Sequence, residues 1–406
     1  MKRKFITAAV LSAVVLLSGC AEKGGASGVL SSYVSSSAAQ DTSSDKSSSA
    51  QGIQNTQSSK SGAPTVIAPN FQGSSWQNAG QNSSSTVPET PNEPSVSETP
   101  GETSSNTVPN TPTVPSDMFN KVSINKGETM MIANQLHVES GTLYSVEGDM
   151  IVDDGASLVV DDGGYLSISG KLVISDAGEF VISEGGCLAM TNDNAVIEGG
   201  CIRMETDFGR LSCEHGTITS QIIPPERKVV DGATTVGGVV IANKAIKLPP
   251  EYGSHLSLNE VEPQVYEALV EMNNDAVHEY INKSGYRSYY DQVAIFQNYC
   301  DMYGYEEADT FSSHAGHSEH QTGLTMDLDS FSESYGATPE GIWLAENCWR
   351  YGFIIRYPKG KEDITGYTYE PWHVRWLGKS TAKLVYDSGL TLEEFLNVEG
   401  GTTVID

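Results

Sequence analysis

Basic residues are scarce in this sequence: 24 Lys and Arg stand against 52 Asp and Glu, a formal charge of −28 over 406 residues. Nucleic-acid binding needs clustered cations to neutralise phosphates, and none is present, so that class of partner is excluded. No two cysteines have CxxC spacing, which argues against a cysteine-ligated zinc site. The HExxH helix of many zinc hydrolases is absent too. The surplus of acid fits a soluble exported chain, a statement about solubility rather than chemistry.

The beginning of the chain reads "MKRKFITAAVLSAVVLLSGCAEK". Lys2, Arg3 and Lys4 form a basic start, and Phe5–Leu17 is apolar but too short for a comfortable bilayer span. Small residues then precede Cys20, an arrangement that resembles the lipobox of bacterial lipoproteins. Residues 1–20 are therefore expected to be a lipoprotein signal peptide, with Cys20 the lipidated residue and the membrane a partner through that lipid. Residues 21–117 are rich in Ser and Thr with interleaved Pro, Gly, Asn and Gln, and carry almost no apolar period. Such a segment cannot bury enough surface to offset its ordering entropy and is expected to be a disordered linker. It would let a folded part range on the order of 50–60 Å from its anchor. The expected location is the extracellular face of the cytoplasmic membrane of a Gram-positive cell.

Residues 118–220 carry a repeat. Gly followed by alternating apolar positions recurs as "GDMIV" at Gly148, "GYLSI" at Gly164, "GKLVI" at Gly170, "GEFVI" at Gly178, "GCLAM" at Gly186, "GCIRM" at Gly200 and "GRLSC" at Gly209. Each unit is a short strand that cannot bury its apolar face alone, but stacked units would share one core. A small all-β solenoid-like module is expected. The uneven Gly spacing also leaves a compact β-sandwich open. His137 and His215 are isolated here, so no site chemistry is assigned to this module.

Residues 221–236 read as a connector. From 237 the texture becomes longer helical patterns mixed with strands, without a βαβ rhythm, which predicts an α+β domain over 237–399 and a tail over 400–406. Val261, Val265, Leu269, Met272, Ala276 and Tyr280 recur at three- and four-residue steps, an amphipathic helix. Thr338 as N-cap, Pro339 at the first helical position and Gly352 past the end frame another. "FIIRYP" follows as a strand.

Within this domain, "SHAGHSEHQTGLTMDLD" places Leu324, Met326 and Leu328 in alternation with Thr325 and Asp327. On a strand the first set faces the core, and Asp327 points the other way, into whatever cleft lies there. His320 precedes Gly323 just ahead of that strand. His and Asp suit Zn²⁺, but a catalytic zinc site usually takes three protein ligands and keeps one open position. "YEPWHVRW" offers His373, with Glu370 three residues before it. Pro371 disfavours a helix, so the two can flank a metal from an extended segment. A zinc water with a carboxylate beside it is the logic of hydrolytic zinc enzymes.

"SEHQTGLTMD" resembles the SxHxxGxAxD motif, and "EPWH" the ExWH motif, of the VanY-type zinc D-alanyl-D-alanine carboxypeptidases. "SGYRSYYDQ" at Ser284–Gln292 is similar to that family's third signature, and the resemblance extends over about residues 237–399. It implies an α+β zinc carboxypeptidase domain with His320, Asp327 and His373 on Zn²⁺. Glu370 would be the general base, and Arg287 would stabilise the oxyanion of the scissile carbonyl, a role its cationic fork suits. Ser318 and Gln292 would position the substrate. The implied substrates are peptidoglycan stem peptides, trimmed of a C-terminal D-alanine as a D,D- or an L,D-carboxypeptidase. A non-catalytic wall-binding lipoprotein and a D-Ala-D-Ala dipeptidase are the alternatives. The family usually has Ala where Thr325 stands, and a hydroxyl there could hydrogen-bond near the site. His314 and His317 are not assigned to the metal; a surface role is expected for His314 and a place at the cleft mouth for His317. Trp372 and Trp376 are expected to pack.

Leaving out Cys20, five cysteines remain, so at least one thiol is unpaired within the chain. Cys300 and Cys348 both fall on expected helices and could pair; Cys187, Cys201 and Cys213 suit solenoid core positions.

Overall fold

The computed structural model describes residues 119–405. The expected signal peptide with Cys20 and the linker over 21–117 lie outside the described residues. No helix among the described residues is long and apolar enough to cross a membrane.

Residues 120–223 form a β-solenoid of about five turns, built as three parallel sheets of five short strands each. Leu143 pairs with Tyr165 and Tyr165 with Cys187, so one turn there is 22 residues long. The Gly-led units are thus interleaved ladders rather than one irregular series. Those at Gly164 and Gly186 stack in one sheet, those at Gly148 and Gly170 in a second, and those at Gly178 and Gly200 in a third. Alternate residues of each strand point inward, and Leu158, Leu166, Leu172 and Phe180 are fully buried. Each such side chain contributes about 1.5–3 kcal/mol by leaving water. The corner glycines are needed for close approach: a Cβ at Gly164 would lie 2.0 Å from the Val138 carbonyl oxygen of the turn before.

The solenoid runs three residues past the expected boundary. The segment expected as a connector holds its last strand, Gln221–Ile223, and two strands of a small antiparallel sheet, Arg227–Val230 and Ala233–Val236.

The following domain is mixed α and β around a four-stranded antiparallel sheet. Its order is Asn282–Ser284, Thr325–Leu328, Glu370–Trp376, Phe353–Tyr357. The helix Pro263–Asp275 packs Val265, Leu269 and Met272 on the core as the spacing predicts. It stops before Ala276 and Tyr280, which lie beyond its end in irregular chain, and the Tyr280 hydroxyl donates to the Glu340 carbonyl (2.9 Å). Thr338 caps Pro339–Asn347 by accepting from the Gly341 N–H, and Gly352 takes the left-handed conformation at the end of the 3₁₀ turn that follows. The tail is tied down: Gly401 N–H donates to the Ile364 carbonyl and Ile405 N–H to the Lys244 carbonyl. Cys187, Cys213, Cys300 and Cys348 are free thiols, so Cys300 and Cys348 do not pair.

One buried cluster runs from the solenoid into the domain after it, beside the domain's own core around Met272 and Trp372. Phe208, Leu211 and Cys213 of the last turns belong to the same buried cluster as Ile354, Leu384, Val385, Leu392, Phe395 and Leu396. Two helices, Lys379–Ser388 and Leu392–Leu396, carry most of that contact. Ser380 Oγ accepts the Cys213 N–H (3.0 Å) and donates to Glu214 (2.9 Å).

Candidate metal centre

Two of the candidate ligands are partners in the sheet. Asp327 on Thr325–Leu328 stands directly opposite His373 on Glu370–Trp376, so their side chains rise from the same face. His320 comes from the 3₁₀ turn Glu319–Thr322, which Gly323 closes in the left-handed conformation before the strand starts. One ligand atom from each of His320, Asp327 and His373 lies within 4.8 Å of the others, and all three residues are buried. His320 Nε2 is 3.3 Å from Asp327 Oδ2, and His373 Nδ1 is 3.1 Å from Asp327 Oδ1.

Glu370 is three residues from His373, a spacing that would put them on opposite faces of a regular strand. The ladder with Phe353–Tyr357 is irregular there: Ile355 pairs with Val374, but Tyr357 pairs with Glu370. This bulge, at Pro371 and Trp372, turns the Glu370 carboxylate to within 3.4 Å of His373 Nδ1.

The imidazole tautomer of His320 is fixed. A carbonyl can only accept, so the bond to Gly285 O (2.7 Å) is donated by Nδ1–H and leaves the Nε2 lone pair on the cluster side. Burial, reinforced by Arg287, holds this imidazole down to about 4, in its neutral form. His373 behaves oppositely: burial alone would lower it, but Asp327 and Glu319 outweigh that and lift it to about 9. Burial would raise Asp327, yet the two imidazoles hold it well below the ordinary carboxylate range. Burial pushes Glu370 up to about 8 against the pull of His373 and Arg287. Asp327 Oδ1 and His373 Nε2 are both buried without a hydrogen-bond partner. Two imidazole nitrogens and a carboxylate converging at this spacing are a donor set that fits Zn²⁺, with no fourth ligand in the cluster among the described residues.

The other expected residues lie around this cluster. Arg287 donates its backbone N–H to the His320 carbonyl, and its guanidinium charge is felt at both His320 and Glu370. Ser318 is 1% exposed, and its Oγ has no partner. Gln292, equally buried, commits its amide nitrogen to the Ser313 carbonyl (2.6 Å), leaving Oε1 unpartnered. Trp372 packs in the core. His317 differs from expectation: it is buried, with Nδ1–H donated to the Asn243 carbonyl (2.8 Å). His314 is half-buried rather than a surface residue, with its ring 4.2 Å from that of Phe296 and Nε2 beside Asp309.

Sequence reasoning missed the charges behind the cluster. Glu319 Oε1 accepts from Arg356 Nε and Arg375 Nη1, both at 2.8 Å, while its Oε2 is 3.7 Å from His373 Nε2. Thr325, the residue that departs from the family motif, donates its hydroxyl to Glu319 at 3.4 Å. Glu319 sits inside the quoted motif; nothing in its spacing marked the two arginines.

Residues 258–379 match the family model for VanY D-alanyl-D-alanine carboxypeptidase. YodJ of Bacillus subtilis strain 168, whose name assigns it a carboxypeptidase role, is 41% identical over 195 residues, 41% of this chain and 71% of YodJ. The chain belongs to the VanY D-alanyl-D-alanine carboxypeptidase family. Two solved structures are also similar. The LdcB LD-carboxypeptidase is 37% identical, covering 43% of this chain and 95% of its own, with a TM-score of 0.38. The D,D-pentapeptidase VanY of a VanB-type vancomycin-resistance cassette, solved in complex with Zn(II), is 30% identical, covering 39% of this chain and 97% of its own, with a TM-score of 0.34. The family match ends at residue 379 and begins at 258, so the solenoid lies wholly outside it.

Proposed function

We propose that this protein is a zinc carboxypeptidase that removes the C-terminal D-alanine from peptidoglycan stem peptides, held outside the cell by a lipid on Cys20. The convergence of His320, Asp327 and His373 with Glu370 at 3.4 Å from the last is the observation that carries this reading. Zinc, when bound, supplies an acidified water and polarises the scissile carbonyl. Glu370 takes the proton of the attacking water and passes it to the departing amine of D-alanine. A carboxylate beside the attacking water can serve as base and then, once protonated, as acid within one turnover. Arg287 balances the charge that grows on the carbonyl oxygen, its cation close enough to Glu370 to lower that carboxyl's pKa. Ser318 Oγ and Gln292 Oε1, buried and unpartnered, receive the polar groups of the peptide end.

The test is D-alanine release, followed by mass spectrometry, from pentapeptide and tetrapeptide muropeptides given to the mature chain with its solenoid. Release that stops with a chelator, returns with zinc and is lost in Glu370→Ala supports the proposal. The substrate that loses alanine then separates D,D- from L,D-specificity. Zinc-loaded enzyme that releases nothing from either peptide would leave stem-peptide recognition without cleavage as the function.

A further inference from the structure

We propose that the solenoid is the outer support of the metal centre: its last turns seat the helix Leu392–Leu396, and Glu393 on that helix positions His373 through Arg356 and Glu319. The inference rests on the zinc reading above and deepens it.

The helix has two buried sides. Phe395 packs its ring 5.5 Å from that of Phe208 in the solenoid, and Leu392 and Leu396 belong to the same shared core. Glu393, itself 2% exposed, points the other way and meets the guanidinium of Arg356 with both oxygens, one of them at 2.9 Å from Nη1. Arg356 reaches on through Nε to Glu319 Oε1 at 2.8 Å. Arg375 joins at the same oxygen and ties its other terminal nitrogen to the Val240 carbonyl, in the small sheet that follows the solenoid. Glu319 then stands at ion-pair distance from His373 Nε2, on the side of the ring away from Asp327.

Two carboxylates and two guanidinium groups make this buried chain neutral, so no member can be lost without leaving an uncompensated buried charge. Arginine forks fix direction as well as distance, because a planar bidentate pair allows little rotation. A displacement of Glu393 is therefore passed to Glu319 rather than absorbed by slack. Carboxylates behind a metal-binding histidine orient the ring and raise its basicity, and losing one typically costs 10–100-fold in metal affinity. Asn243 adds a second hold on Glu393 (3.3 Å) from the segment joining the small sheet to the domain. Glu319, Arg356 and Glu393 are positioning residues here; none touches the ligand cluster's open side.

The test measures zinc affinity of the full chain by chelator competition, well below the melting temperature of each variant. Glu393→Gln and Phe208→Ala are expected to bind zinc about tenfold more weakly, and Phe208→Leu to restore most of the loss. Leu158→Ala, in the middle of the solenoid, should lower the melting temperature and leave zinc affinity unchanged, which separates support of the metal from general destabilisation. Wild-type affinity in both Glu393→Gln and Phe208→Ala would overturn the proposal. If either is not folded, Phe395→Leu takes its place, thinning the same seating contact from the helix side; unchanged affinity there would overturn it equally. A wild-type chain that binds no zinc would instead defeat the zinc reading, and this inference with it.

Discussion

Asp327 and His373 face one another across neighbouring antiparallel strands, with His373 Nδ1 3.1 Å from Asp327 Oδ1. Two candidate ligands distant in sequence are thus set by sheet register, and the bulge on the same strand aims Glu370 at the same spot. Rigid elements hold the whole cluster except His320, which a closed turn holds instead.

Replacing Glu370 by Gln keeps the side-chain volume and removes the proton acceptor. We expect kcat on a muropeptide to fall by about 10²–10⁴ while the zinc content of the purified protein stays at wild-type level. Equal loss of zinc and activity would make Glu370 a ligand rather than a base.

Arg287→Lys retains the charge and discards the fork. An oxyanion donor contributes about 10²–10³ in kcat, and a point charge on a flexible stem should not replace it. Steady-state kinetics should show the loss in kcat, with KM little changed.

The metal-free chain should lose thermal stability as pH rises from 6.5 to 9. Glu370 sits at about 8 folded against an ordinary 4.5, and His373 at about 9 against 6.5. In each case the folded chain holds more protons than the unfolded one within that window, so stability falls with pH. His320, held at about 4, acts in the opposite sense, but only below 6.5. Melting curves of chelator-treated protein should slope downward over this range, and Glu370→Gln should flatten them. Added zinc should stabilise more at pH 8 than at 6.5, because binding requires His373 to shed its proton.

Gly164→Ala should destabilise the solenoid by about 1–3 kcal/mol, although its backbone is not left-handed. The new Cβ would meet the Val138 carbonyl, a backbone atom of the turn before that cannot step aside. Denaturant unfolding would read this; an unchanged midpoint would mean the turns are more loosely stacked than described.

Much of this was legible in the sequence, for identifiable reasons. Strand alternation and Gly-led units announced stacked turns, and two of the three motifs named His320, Asp327, His373 and Glu370 as neighbours before any fold was known. The 22-residue turn stayed hidden because three ladders interleave, so that Gly148 answers to Gly170 and Gly164 to Gly186. Glu319, Arg356, Arg375 and Glu393 meet from four separate elements, and no local period connects them. His317 read as a cleft residue because a histidine-rich loop looks exposed; its buried bond to Asn243 is a tertiary fact.

The stacking of the solenoid also sets a distance. Five strands per sheet at about 4.8 Å put its first turn, where the chain arrives at Phe119, on the order of 20 Å from the last turn. Because that last turn is fused into the core behind the Lys379–Ser388 helix, the stack cannot swivel against the ligand cluster. It acts as a stiff boom: the ligand cluster keeps one distance and one orientation relative to Phe119.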